Sequence, residues 1–177
     1  DPVYDKDIAF YLFSLPAYIA IKNWALTLLF FSALAAGLIY WVHGDIKDVP
    51  PAWSISPNAI AHGSALLGLF LVVKAWSYGL DRYLLLYGDN GVVVGAGFTD
   101  IHVELPILWL LIAFSIVGAI TAWANIWVRT YPLPLVALLL VFGSAFLLSG
   151  VVATLFQRLY GKPNELDLDR RYIERSI

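Results

Sequence analysis

The chain has 177 residues, 60% of them hydrophobic and 14% charged, with a formal net charge of −2. Soluble domains carry about 25% charged residues, so at a mean hydropathy of +0.77 this is the composition of one membrane domain and not of a water-soluble globule. The slight negative charge and the lack of a basic run exclude a nucleic-acid surface, and the absence of cysteine excludes disulfides and thiolate metal sites.

Residues 1–16 open with three aspartates, which is not the basic start of a signal peptide. The Asp1-Pro2 start and the absence of methionine lead to the expectation of a piece of a longer protein. Within this stretch "KDIAFYLFSLP" pairs charge with a dense aromatic run. It reads either as a short helix lying in the membrane interface or as the end of a loop leaving an earlier span.

Four apolar runs follow, each long enough to cross a hydrocarbon core that takes roughly 20 helical residues. They are expected at residues 17–41, 59–78, 106–128 and 133–157. Pro16, Pro57, Pro106, Pro132 and Pro134 stand at or just before the starts, where a missing N–H costs little. Trp41, Trp53, Trp76, Tyr78, Trp127 and Tyr131 stand near the ends, at the depth aromatic rings prefer. A buried bundle in a soluble protein would need polar helix faces, and the third and fourth runs have almost none. The expected fold class is therefore all-α integral membrane, a bundle of four transmembrane helices with short interfacial helices at the ends.

Small residues recur at close-packing intervals: Ala33 with Gly37, Ala61 with Ala65, Ser64 with Gly68, and Gly143 with Gly150. Such spacings let helix backbones approach. Asn125 reads as an interhelical hydrogen-bond donor. Lys74, about one turn from the expected end of its span, reads either as a snorkelling side chain or as an intramembrane charge on an ion path, with Asp81 or Glu104 as its partner. His43 and His62 fall on one side of the membrane and His102 on the other. The first two could ligate a haem, a chlorophyll or a metal, or simply make interfacial hydrogen bonds; no ligand spacing supports ligation. No cofactor is otherwise expected.

Between the second and third runs, "GVVVGAGFTD" looks like the strand and glycine turn of a dinucleotide fold. The fingerprint fails, because Asp100 stands where the third glycine belongs and no helix of a βαβ unit opens behind it. The expectation is an ordered glycine-rich loop ending in a strand. Asp100, His102 and Glu104 alternate, so an extended strand would point all three one way. They would then hold a cation or pass protons, or form the wet edge of a strand. No nucleophile elbow, P-loop lysine or H-E-x-x-H motif occurs, so no enzyme activity is expected.

"GAGFTDIHVELP" resembles the Gly-Ala-x-Tyr-Thr-Asp-Val-His…Leu-Pro stretch of UPF0182, a family of large bacterial and cyanobacterial membrane proteins. "DPVYDKDIAFYLFSLP" is similar to that family's segment ahead of a span, and "KPNELDLDRRYIERSI" to its Pro-Asn-Glu-Leu…Tyr-Ile segment. Arg171 replaces the usual proline, Ser176 the usual asparagine, and Asp169 stands where glutamate is common. The resemblance implies further spans upstream and a large hydrophilic domain beginning at residues 158–177. There Asn164 would cap a short amphipathic helix, with Asp167 and Arg171 placed to pair.

All basic residues except Lys47 and Arg129 fall on the side of the two chain ends, which by the positive-inside rule is cytoplasmic. The resemblance implies the opposite orientation for the large domain, and the two readings leave orientation open. The expected function is a non-catalytic domain of the bacterial cytoplasmic or thylakoid membrane. It would anchor a hydrophilic domain or dock with other membrane subunits in a lipid bilayer. The alternatives are an ion or small-solute transporter and a pigment- or haem-binding subunit.

Overall fold

A computed structural model describes residues 4–50, 52–85, 100–156 and 158–159. It contains four helices long and apolar enough to cross a membrane: α1 (Phe10–Val42), α2 (Pro57–Leu84), α3 (Asp100–Val128) and α4 (Pro132–Phe156). Of the described residues 86% are helical, which makes the fold all-α. The glycine-rich stretch of residues 91–99 and the tail with Asn164, Asp167 and Arg171 lie outside the described residues.

Two helices begin earlier than their prolines announce. Pro16 and Pro106 do not open α1 and α3; each follows a π-helical turn, Phe10–Ser14 and Asp100–Glu104. A proline ring collides with the carbonyl four residues back, and the wider π turn ahead of it relieves that collision. The Asp7 carboxylate accepts from the Phe10 amide at 2.9 Å, capping α1. The expected separate pre-span helix is thus the first turns of α1. The expected strand through Asp100, His102 and Glu104 is the first turn of α3. α2 starts where expected: Ser56 is its N-cap, accepting from the Ala59 amide at 3.2 Å. It continues past Tyr78 to Leu84, because Asp81 and Arg82 tolerate helix and neither Gly79 nor Tyr78 stops it.

A feature absent from the sequence reading joins α1 to α2. Strands β1 (Ile46–Val49) and β2 (Ala52–Ile55) form an antiparallel hairpin, with Ile46 opposite Ile55 and Asp48 opposite Trp53. The hairpin is tied to the α3–α4 turn by Tyr131, whose hydroxyl donates to the Ile55 carbonyl and accepts from its amide.

The α2–α3 pair is the centre of the bundle. On α3 the buried residues Ile107, Leu111, Ser115, Gly118, Ala119, Ala122 and Asn125 repeat at three- and four-residue steps along one face. On α2 Ser64, Gly68, Leu71, Ala75 and Tyr78 do the same. The facing residues are small, so the helices approach closely. Gly68 lies under Trp123, whose indole N–H donates to the Ala65 carbonyl at 3.2 Å. Gly118, which the spacing analysis passed over, admits Val141 and Leu71. Leu71, Ala119, Ala122, Ala137 and Val141 join α2, α3 and α4 in one apolar cluster. Among the described helices α1 packs mainly on α2, and none of its apolar window is fully buried.

The hairpin end of the seam is polar. Asn125 donates to Ser64 Oγ and to the Thr130 carbonyl, both at 2.9 Å, and accepts from the Thr130 amide and hydroxyl. Every bonding group of this amide is used. Arg129 turns the chain in the left-handed conformation, φ 56°, and its guanidinium donates to Asn58 Oδ1 at 3.1 Å.

Two outcomes test this packing. A methyl group at Gly68 would collide with Trp123, whereas nothing lies within 4 Å of one at Gly143. Gly68→Ala is expected to cost about 1–3 kcal/mol, while Gly143→Ala is neutral or stabilises by up to about 1 kcal/mol through helix propensity. Asn125→Ala is expected to cost about 1–3 kcal/mol by stranding Ser64 and Thr130. Thermal unfolding in detergent micelles reads all three, and equal melting temperatures for the two glycine variants would contradict the seam.

Candidate functional site: a carboxylate pocket at one end of the bundle

Many polar residues of the spans gather at the two ends, and at one end, among the described residues, two carboxylates line a cavity. That end is built by the last turns of α2, the first turns of α3 and the last turns of α4. Because α2 extends to Leu84, Asp81 stands seven residues beyond Lys74 on the same helix face. The π turn that opens α3 carries Glu104 to the opposite wall. Asp81, Leu85, Glu104, Ile107, Leu108, Ser149 and Ala153 enclose about 220 Å³. Two carboxylates and a hydroxyl from three helices thus face one small space.

The charges around the pocket are mixed. Lys22 on α1 and Lys74 on α2 act on the Asp81 carboxylate, and the buried Asp100 acts as a like charge on Glu104. Lys74 is half-buried, with its ammonium 4.9 Å from the centre of the Tyr78 ring. It lies nearly three turns from the end of α2 rather than the expected one. Of its two expected partners, Asp81 feels its charge. A strand would put Asp100, His102 and Glu104 on one side. In the helical turn His102 is exposed, Asp100 buried and Glu104 half-buried, since residues two apart on a helix point to opposite sides. Among the described residues no cluster of three or more histidine, aspartate or glutamate side chains is placed to hold a metal ion.

A belt of rings and cations surrounds the pocket end. Arg82 lies 4.1 Å over the Trp109 ring and 5.5 Å from the Tyr83 ring. Tyr4 and Phe10 meet Tyr83 edge-on at 5.0 and 4.9 Å. The Tyr4 hydroxyl donates to the Arg82 carbonyl at 2.5 Å. Rings and a guanidinium near the ends of candidate spans are the usual membrane-surface anchors.

The histidines of the other end are engaged separately. His43 Nδ1 lies 2.8 Å from the Ile39 carbonyl, and His62 Nδ1 lies 3.1 Å from the Tyr40 hydroxyl. Both rings are exposed. Of the small-residue pairs, Ser64, Ala65 and Gly68 serve the α2–α3 seam. A Cβ at Gly37, Gly143 or Gly150 would meet nothing within 4 Å among the described residues. Their spacing is right for packing, but no neighbour in the bundle meets them.

With this geometry in view, the matches to known proteins can be placed. The uncharacterised protein family UPF0182 matches residues 1–177. The chain belongs to this family. A UPF0182 protein of Bradyrhizobium diazoefficiens is 61% identical over the whole of this chain and 19% of its own length. One of Cupriavidus necator is 54% identical, with 20% of its length covered. One of Synechococcus is 33% identical, with 23% covered. The chain therefore spans about a fifth of the length of these UPF0182 relatives. No solved structure matches it.

The Tyr4 contact gives a pH test. Burial raises the phenol above its ordinary 10.0, the Arg82 charge opposes that, and Tyr83 and Asp100 add to the rise. The docked state therefore holds this proton more tightly than the undocked one. The hydrogen bond is fully present below about pH 10 and is lost as pH rises through the docked-state value. A nitroxide label at Asp5 is expected to loosen only above pH 10. Tyr4→Phe should weaken docking by about 0.5–1.5 kcal/mol at neutral pH and remove the alkaline step. An alkaline step that persists in Tyr4→Phe would assign it to another group.

Proposed function

We propose that this segment is a non-catalytic membrane domain. In this reading it anchors the remainder of a UPF0182 protein, or docks it with other membrane subunits, in the cytoplasmic membrane of bacteria or the thylakoid membrane of cyanobacteria. The observation that carries the reading is the position of α1. Among the helices it packs mainly on α2, and none of its apolar window is fully buried, with Phe31, Leu34, Leu38 and Trp41 facing outward. Helices α2 and α3 hold each other through small residues, and at the hairpin end Ser64 and Asn125 are spent on holding the α3–α4 turn. The centre of the bundle is closed by Leu71, Leu111, Ala119, Ala122 and Val141. Such an interior supports anchoring and assembly better than passage of a solute.

A second reading has its own observation. Two carboxylates on neighbouring helices, facing one small cavity beside two lysines, form an arrangement that can take up a proton or a small cation. A transporter built on it would use Asp81 and Glu104 as its ion ligands.

One experiment separates the two. The full-length protein and its Asp81→Asn, Glu104→Gln double variant are reconstituted in liposomes, and proton, Na⁺ and K⁺ fluxes are recorded. The anchoring reading expects fluxes equal to those of empty liposomes for both proteins, with an unchanged assembly size on native electrophoresis. A flux through the native protein that falls about tenfold or more in the variant, at unchanged assembly size, would replace that reading with transport.

A further inference from the structure

At the hairpin end of the bundle α1 and α4 stand apart on either side of α2 and leave an apolar groove of about 650 Å³. Its volume lies within the about 300–1,000 Å³ range of small-ligand sites. α2 is the floor, through Gly63 and Leu67; α1 supplies Ala33 and Gly37 on one side, and α4 supplies Leu135 on the other. The glycines are the reason the space is there. A Cβ on Gly37 or Gly63 would meet no atom within 4 Å, so the groove is open at Gly37, whose spacing from Ala33 is right for close packing, and at Gly63 on α2.

Three features decide what fits. The groove runs along α1 from Leu29 to Tyr40 and along α2 from Ala59 to Phe70. Each is about 17 Å of helix at ~1.5 Å per residue, close to half of a hydrocarbon core about 30 Å thick. Its outer end is walled by the cross-strand pair Ile46 and Ile55 and by Tyr131, so a helix lying in it could not continue to the membrane surface. Its side is continuous with the lipid-facing surface, since Phe30 and Leu135 line the groove and are each 59% exposed. A slot one leaflet deep, apolar, closed at the surface and open sideways suits a single extended hydrocarbon chain. Tyr40, which lines the groove, places its hydroxyl 3.1 Å from the His62 ring.

We propose that this groove holds one acyl chain of a bilayer phospholipid, bound as a structural lipid between α1 and α4. The proposal rests on the segment crossing a bilayer and goes beyond the anchoring reading by assigning a ligand to it. The bound chain fills the space that holds α1 away from α4 and lets α1 keep its position while packed mainly on α2.

The test uses the full-length protein in vesicles of phosphatidylethanolamine and phosphatidylglycerol with a trace of phosphatidylethanolamine carrying a diazirine midway along one acyl chain. After illumination and stringent detergent washing, labelled residues are mapped by mass spectrometry. Labelling is expected to concentrate at Gly63 and Leu67 above that of Leu34 and Leu38 on the outward face of α1. Gly37→Leu with Gly63→Leu puts side chains into the groove from two positions where a Cβ meets nothing within 4 Å. It should lower groove labelling about tenfold, through loss of van der Waals contacts with the chain, while Gly143→Leu leaves it unchanged. Labelling of Leu34 and Leu38 reports that each variant is folded in the bilayer, so failure of membrane insertion and failure of the groove proposal give different patterns. Equal labelling of groove and outward face in the native protein would overturn the proposal without need of any variant. So would a benzophenone side chain placed at Ala33 that captures protein rather than lipid, which would give the groove to another segment or a second copy.

Discussion

In hydrocarbon, helices are not driven together by the exclusion of water, because lipid tails are as apolar as leucine. What holds this bundle is close contact between α2 and α3, and that contact depends on small residues meeting large ones. Gly68 gives up its side chain to the Trp123 indole, and Gly118 makes room for Leu71 and Val141. Asn125, wholly buried, spends its entire amide on Ser64 and Thr130. Dispersion along the seam and hydrogen bonds at its hairpin end together fix the register of α2 against α3. The α3–α4 turn follows from that register, because Thr130 is tied to Asn125 and Arg129 reaches Asn58. The remaining helices are placed against this pair: α4 through Ala137 and Val141, α1 through a looser packing on α2.

The polar chemistry is sorted by depth. At one end lie the hairpin, the two engaged histidines and the satisfied asparagine; at the other lie the carboxylate pocket and the belt of rings around Arg82. Between them the seam is apolar, which is what a stable core in oil requires, since an unsatisfied polar group there costs several kcal/mol. Ser115 Oγ is the one buried side-chain polar atom among the described residues that has no hydrogen-bond partner. It sits in the small-residue stripe of α3, where size is the property that matters.

The four helices were legible in the sequence because length and continuous apolarity are physical requirements of a span and leave a direct trace. Their starts were read less well. Pro16 and Pro106 suggested first turns, but proline also tolerates a position just inside a helix when a π turn opens ahead of it. The alternation of Asp100, His102 and Glu104 fits a strand as well as the first turn of a helix, and periodicity over so few residues does not separate the two. The hairpin left a signal in Ile46, Asp48, Trp53 and Ile55, which pair across it, yet short strands between long spans are easily read as linker. The pocket was half legible. Lys74, Asp81 and Glu104 stand out as charges near apolar runs, but that Asp81 and Glu104 share a cavity with Ser149 follows from how three helices converge, which spacing along one chain does not carry. Spacing alone also failed to rank the glycines: Gly68 touches a neighbour, Gly37 and Gly143, equally well spaced, do not, and Gly118, which does, falls outside the spaced pairs.

The most direct test of the account is an accessibility scan of α3. The chain has no cysteine, so a nitroxide can be placed at single sites in this segment within a lipid bilayer and probed with oxygen and with a water-soluble nickel chelate. The account expects oxygen to reach labels at Leu110, Ile116, Val117 and Ile120, and neither reagent to reach labels at Leu111, Ala119 and Ala122. Nickel access at mid-helix, or oxygen access without the three- and four-residue period, would contradict a lipid-bathed helix sealed along one face against α2.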